Sequence, residues 1–271
     1  MPEANPHDAK GYRLFFEQFG FQRPALVNFV GGGGKTSLIL RLMEECSRPG
    51  PVIYTTTTRI HPPNPGNGMA IIASDNVALL KRLVERASHD CWEQVGKLVV
   101  TRPALSRDLL RGVQPDFAQS LDRSLCPLIF NEADGARSMS LKMPREGEPV
   151  LMNGAEYLVP VIGIDCLMKP LGPGTLFRWD YASARYGLEA GRLITPQLAA
   201  SLLLHPQGVC RGWATPVRIV PYINKVDDES WDSLAGDLAQ ALLHNSDFHV
   251  TRVVFGSLLQ GRASSLSPHR E

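Results

Sequence analysis

The chain has 271 residues, 44% hydrophobic and 20% charged, with a net charge of +1. Such a chain buries a large core, and its charge balance gives no electrostatic footprint for nucleic acid or an anionic membrane. No apolar run reaches membrane-spanning length and the first residues carry no signal-peptide pattern, so a cytoplasmic protein is expected. The five cysteines (Cys46, Cys91, Cys126, Cys166 and Cys210) are dispersed without a C-x-x-C pair. They are expected as reduced thiols, not zinc ligands.

In chain order, residues 8 to 19 read as a short amphipathic helix with Leu14, Phe15, Phe16 and Phe19 on its apolar side. The apolar run from Ala25 to Val30 reads as a buried strand. The glycine run Gly31-Gly32-Gly33-Gly34 follows, then Lys35-Thr36-Ser37 and a helical pattern from Leu38. Further strands are expected at 52–55, 69–72, 97–101, 128–130, 157–164, 217–223 and 250–255. Helices are expected after Ser74 and over 117–125, 179–187, 196–204 and 228–243. Pro221 weakens the strand around it. Residues 135 to 149 read as a long charged loop, and those from 261 onward as a frayed tail. Strands alternating with helices predict an α/β fold with a mostly parallel, doubly wound sheet, here as one domain. Ligands of such folds bind at the carboxyl ends of the strands.

Strand, glycine loop, Lys-Thr and helix together form a phosphate cradle. Glycines let backbone N–H groups point inward and the helix N-terminus adds its dipole. Lysine reaches the outer phosphates, and the next hydroxyl ligates Mg²⁺. The amides of Gly31 to Gly34 and Lys35 are therefore candidate phosphate donors, with Thr36 for the metal and Ser37 beside it. The full G-x-x-x-x-G-K-[ST] pattern is not met, because Phe29 stands where its first glycine belongs. A flexible linker would be polar on both sides, which this run is not.

Asn131-Glu132-Ala133-Asp134-Gly135 ends an apolar strand. Glu132 and Asp134, two apart, point the same way in extended backbone. They are candidates to anchor the waters of Mg²⁺ or orient a nucleophile; the bland reading is a solvated acidic turn. Asn224-Lys225-Val226-Asp227 also follows a strand. There the Asp227 carboxylate could accept from guanine N1–H and the 2-amino group, donors that adenine lacks. The Lys225 stem could lie along the base, and Asn224 could reach the N7 side. The plain alternative is a helix cap from Asp227 or Asp228.

Three weaker candidates remain. Thr55 to Thr58 with Arg59 could bind metal or phosphate, although threonines simply favour strands. Arg137 and Lys142 lie in the charged loop after the acidic motif, and Gly256-Ser257-Leu258 follows the last strand.

These motifs, V-G-G-G-G-K-T at 30–36, T-T-T-T-R-I at 55–60, N-E-A-D-G-A at 131–136, L-K-M-P at 141–144, E-P-V at 148–150 and I-N-K-V-D at 223–227, resemble the YqeC-type family of selenium cofactor biosynthesis proteins. That family is also described as selenium-dependent hydroxylase accessory proteins. Gly32 replaces an alanine usual in the family, and Arg59 a common lysine. The motif order is also similar to that of SIMIBI-class metallochaperone GTPases, in which an E-x-x-G motif acts as the switch. The resemblance implies a SIMIBI-like P-loop NTPase with a three-layer α/β/α fold. It implies a slow Mg²⁺-dependent GTPase, acting with a selenium-dependent molybdenum hydroxylase or its maturation factors. Lys35, Glu132 and Asp134 would be catalytic, and Thr36, Glu132 and Asp134 would hold the metal. Two alternatives stay open: an ATP-using kinase or ligase, and a nucleotide-gated chaperone that barely hydrolyses. Whether any cysteine touches selenium stays open; Cys166, after the 157–164 strand, is the first candidate.

Overall fold

The computed structural model describes residues 14–46, 51–63, 68–90, 96–106, 109–212, 217–245 and 247–268. At its centre runs β1 (Ala25–Gly31), buried along its whole length. Its sequence is apolar on both faces, as a parallel strand covered on both sides requires. On one side it pairs in parallel with β7 (Leu128–Glu132), followed by β2 (Val52–Thr56), β5 (Lys97–Ser106) and β4 (Met69–Ala73). On the other side come β9 (Tyr157–Gly163), β12 (Tyr222–Asn224) and β13 (Val253–Ser257), all parallel. The short β11 (Arg218–Ile219) also pairs with β9. Antiparallel pairing is confined to the rims, where β3 (Arg59–Ile60), β6 (Leu109–Arg111) and β14 (Arg262–Leu266) lie.

From β1 the chain runs outward to β2 and β5, returns to β7 beside β1, then crosses to β9 on the opposite side. The direction of winding thus reverses around β1. The carboxyl ends of β1, β7 and β9 flank the crevice where such sheets bind ligands.

Alternation along β1 sorts the core into two layers. Val27 and Phe29 face α1 (Leu14–Phe19) and α2 (Lys35–Cys46), where Phe15, Phe19, Leu38 and Leu42 are buried. Leu26 and Val30 face the other way. On that side α3 (Val77–Asp90) contributes Leu80 and Val84 to one cluster. A second cluster receives α4 (Trp179–Tyr186), α5 (Pro196–Leu203) and α6 (Asp232–Leu243). The result is a mostly parallel α/β sheet between two helical layers.

Four expectations are corrected. Residues 262 to 266, read as frayed tail, form β14 and pair with β13 from Val253↔Leu266 to Ser257↔Arg262. Their polar sequence hides a rim strand, because its pairing comes from the backbone. The helix expected over 117–125 is only a 3-10 turn at Phe117–Ser120. Asp122 accepts from the Ser124 amide and hydroxyl, a local turn that competes with helix. The strand expected at 217–223 is split into β11 and β12 around Pro221, which has no N–H for the ladder. The long loop contains β8 (Leu141–Lys142), paired in parallel with β10 (Leu176–Phe177). Of the expected first helix, residues 8–13 lie outside the described residues, as does Cys91.

Candidate functional site

The glycine loop leaves β1 at the winding reversal. Gly31, Gly33 and Gly34 have φ of 91°, 79° and 122°, which only glycine adopts readily. Space forbids a side chain as well: a Cβ on Gly33 would lie 2.2 Å from the Gly163 nitrogen. All four glycine amides were expected to serve phosphates. In the structure three of them have protein acceptors: Gly31 N–H donates to Asp134 Oδ2 (3.1 Å), Gly32 N–H to Val161 O (2.9 Å) and Gly33 N–H to Met139 O (2.9 Å). The amides that follow, from Gly34 to Ser37, open α2, where an α-helix leaves its first N–H groups without intrahelical partners.

The first turn of α2 meets the end of β7. Lys35 is buried; its Nζ donates to Gly31 O (2.5 Å) and lies 3.1 Å from Asp134 Oδ1 and 4.0 Å from Glu132 Oε1. Thr36 Oγ1 donates to Glu132 Oε2 at 2.8 Å. The hydroxyl and lysine of α2 thus meet both carboxylates, which lie 96 or more positions further along the chain, at one spot.

Two residues of this cluster escaped sequence reasoning in whole or part. Tyr54, on β2 opposite Phe130, is fully buried and donates its hydroxyl to Glu132 Oε2 at 2.7 Å. Burial and the Glu132 charge push the phenol well above its ordinary value, so it stays a donor. Lys142 was a candidate phosphate contact; its side chain is wholly buried instead. Its Nζ donates to Gly135 O (2.7 Å) and forms ion pairs with Asp134 Oδ2 (3.0 Å) and Glu148 Oε2 (3.1 Å). Arg178 in turn donates to Glu148 Oε1 (2.7 Å), and its other terminal nitrogen forms an ion pair with Oε2, also at 2.7 Å. Burial works to raise the Glu148 carboxyl, but Lys142 and Arg178 outweigh it and hold it below its ordinary value.

The threonine run serves the sheet. Thr55 donates to Val100 O, Thr56 to Glu132 O and Thr57 to Val150 O. Arg59 is exposed on β3 and Arg137 is exposed beyond Gly135.

Past β12, Asn224 is buried. Its Nδ2 donates to Gly33 O (2.7 Å) and its Oδ1 accepts from Tyr222 OH (3.0 Å), so it braces the glycine loop. Lys225 Nζ turns to Ser140 Oγ (2.8 Å) and Asp165 Oδ2 (3.0 Å). Asp228, not Asp227, caps the turn before α6 through the Ser230 amide. Asp227 Oδ1 accepts instead from Ser257 Oγ at 2.5 Å, at the end of β13.

Thr36 and the two carboxylates present hard oxygen donors of the kind Mg²⁺ takes alongside water and substrate phosphates. Among the described residues no group of three or more His, Cys, Asp or Glu is set to hold a metal. Burial pushes the Cys166 thiol up to about 12, which keeps it protonated near neutral pH.

Fold and site define a mostly parallel three-layer α/β protein with a glycine loop facing two carboxylates across its winding reversal. The chain belongs to the YqeC protein family, whose model matches residues 27–180. It is 28% identical over 210 residues to the uncharacterized protein YqeC of Escherichia coli (strain K12), a match covering 75% of this chain and 77% of that one. No solved structure matches it. No described helix is long and apolar enough to cross a membrane.

Proposed function

We propose that the chain binds a Mg²⁺–nucleoside triphosphate along the carboxyl edge of β1, β7 and β12, prefers GTP and hydrolyses it slowly. The observation that carries this reading is the meeting of Lys35 and Thr36, at the start of α2, with Glu132 and Asp134, at the end of β7. A glycine loop that must pass beneath neighbouring backbone, a helix N-terminus and hard oxygen donors are the parts phosphate binding needs.

In this reading the amides from Gly34 to Ser37 donate to phosphate oxygens, and an arriving phosphate competes with Asp134 and Gly31 O for Lys35. Thr36, with Glu132 or Asp134, holds Mg²⁺ and its waters; the bound metal offsets phosphate charge. Glu132 and Asp134 orient an attacking water. Asp227, freed from capping by Asp228 and oriented by Ser257, reads guanine. Asn224 keeps the loop in place, and the stem of Lys225 lies along the base.

Calorimetric titration of the purified protein with GTP and ATP, each with and without Mg²⁺, tests the reading. Micromolar GTP binding that needs Mg²⁺ and is lost in Lys35→Ala is expected. Equal affinity for ATP sinks the role of Asp227, and no binding of either nucleotide sinks the whole reading.

The family resemblance supplies a setting, maturation of selenium-dependent molybdenum hydroxylases. If hydrolysis serves that step, Lys35→Ala and Glu132→Gln both abolish hydroxylase activity in a complemented deletion strain. Retained activity in Glu132→Gln, with nucleotide binding intact, favours a nucleotide-gated chaperone.

A further inference from the structure

Beside the glycine loop, on the far side of the 138–140 strap, lies a cleft of about 180 Å³. Ser138, Ser140, Asp165, Cys166, Lys169 and Thr175 line it. We propose that this cleft is a second ligand site, built for a small anionic molecule that also carries a hydroxyl or amino group.

Several independent features converge here. Of the five non-glycine residues with positive φ among the described residues, Ser138 (63°) lines it, Arg137 (45°) and Met168 (57°) are next in the chain to lining residues, and Lys225 (66°) bonds two of them. Such backbone costs free energy, persists only where the surroundings impose it, and gathers at ligand sites. Gly163 brings two side chains unusually close to the chain: a Cβ there would lie 2.5 Å from Ser140 Oγ and 2.6 Å from Asp165 Oδ1. Asp165 Oδ2 is taken by Lys225, whereas Oδ1, buried beside the Ser140 hydroxyl, has no well-aligned hydrogen bond. An unsatisfied buried carboxylate oxygen is costly and asks for a donor. That donor is the ligand's hydroxyl or amino group.

The anionic part follows from charge. Lys169, exposed at the rim, and Lys225 against the single carboxylate of Asp165 leave the cleft net positive. The volume admits a molecule of several non-hydrogen atoms. Cys166, buried and protonated, offers a wall and no nucleophile. The strap also touches the glycine loop, since Met139 O accepts from Gly33 N–H and Ser140 O from Gly163 N–H. A ligand here would press on the wall that the loop leans against. The proposal goes beyond nucleotide binding and does not depend on it.

Ligand-observed NMR on the full chain tests it with glycolate, glycerate and L-serine as probes. Propionate lacks the donor and glycerol lacks the anion. At least one of the three probes should bind, and more tightly than both controls by roughly fivefold or more, the scale of one hydrogen bond. Lys169→Ala should weaken that binding about tenfold, as loss of a charged partner does, and should leave nucleotide affinity unchanged. Asp165→Asn should weaken it similarly. Lys35→Ala should not change it, which separates this site from the phosphate loop. Silence from all three probes, equal binding of propionate or glycerol, an unaffected Lys169→Ala, or competitive displacement by GTP would overturn the proposal.

Discussion

The two ends of the candidate site are built on different principles. At the end of β7, Lys35, Lys142 and Arg178 interleave with Glu132, Asp134 and Glu148 in a mostly buried network of alternating charge. At the ends of β12 and β13, neutral donors do the holding: Tyr222 on Asn224, Asn224 on Gly33, Ser257 on Asp227. A charge network taken out of water is stable only as a whole, because each member left alone is an uncompensated buried ion. A chain of neutral hydrogen bonds loses one bond at a time. The β7 end is therefore intolerant of substitution yet able to respond when a new charge arrives. The β12 end is suited to present one carboxylate at a fixed angle.

Breaking the charged end should cost most. Lys142→Met removes one buried cation from both Asp134 and Glu148, and denaturant unfolding should show a loss of roughly 3 kcal/mol or more, the usual cost of breaking a buried pair. A loss below about 1 kcal/mol would mean that the network is wetter than its burial indicates. Tyr54→Phe keeps the ring and removes the hydroxyl from Glu132 Oε2. It should cost about 1–3 kcal/mol and, if Glu132 serves the metal, shift the Mg²⁺ dependence of nucleotide binding.

Acid should act on the same end. The Glu148 carboxyl is depressed in the folded state, so its contribution is complete above its ordinary value of 4.5 and is lost as pH falls through the lower, folded value. Glu148→Gln should flatten the stability–pH curve below pH 4.5 and leave any slope above it in place, as followed by thermal unfolding across pH. The smallest effect on stability belongs to the neutral end. Asp227→Asn keeps an oxygen for Ser257 and should change stability by no more than about 0.5 kcal/mol. The same variant should erase a preference for GTP over ATP in competition binding, and an unchanged preference would place base recognition elsewhere.

Much of this was legible in the chain because the signals are local. An apolar run, a glycine run, Lys-Thr and an amphipathic pattern occupy adjacent positions, and a parallel α/β sheet puts each strand's carboxyl end on one edge. The spacing of Glu132 and Asp134 placed both carboxylates toward Lys35 for the same reason. Legibility failed where a group's partner is distant in sequence. Thr55 to Thr58 drew attention as a run, whereas Tyr54, one residue earlier, is the side chain of that strand that reaches the Glu132 carboxylate. Its 78-residue separation from that carboxylate is closed only because β7 returns between β1 and β2.

By itself, then, the sequence determined the α/β class, the glycine loop at the central strand and the family. Each follows from hydrophobic periodicity or from contiguous residues whose chemistry is local. Tertiary structure alone decided that Gly31 to Gly33 give their amides to protein acceptors, that Lys142 is interior and that Ser257 holds Asp227. It also made a rim strand of residues 262 to 266. Those outcomes depend on which strands become neighbours. A buried polar group must find a partner, and strand order, not sequence distance, determines which partners lie within reach.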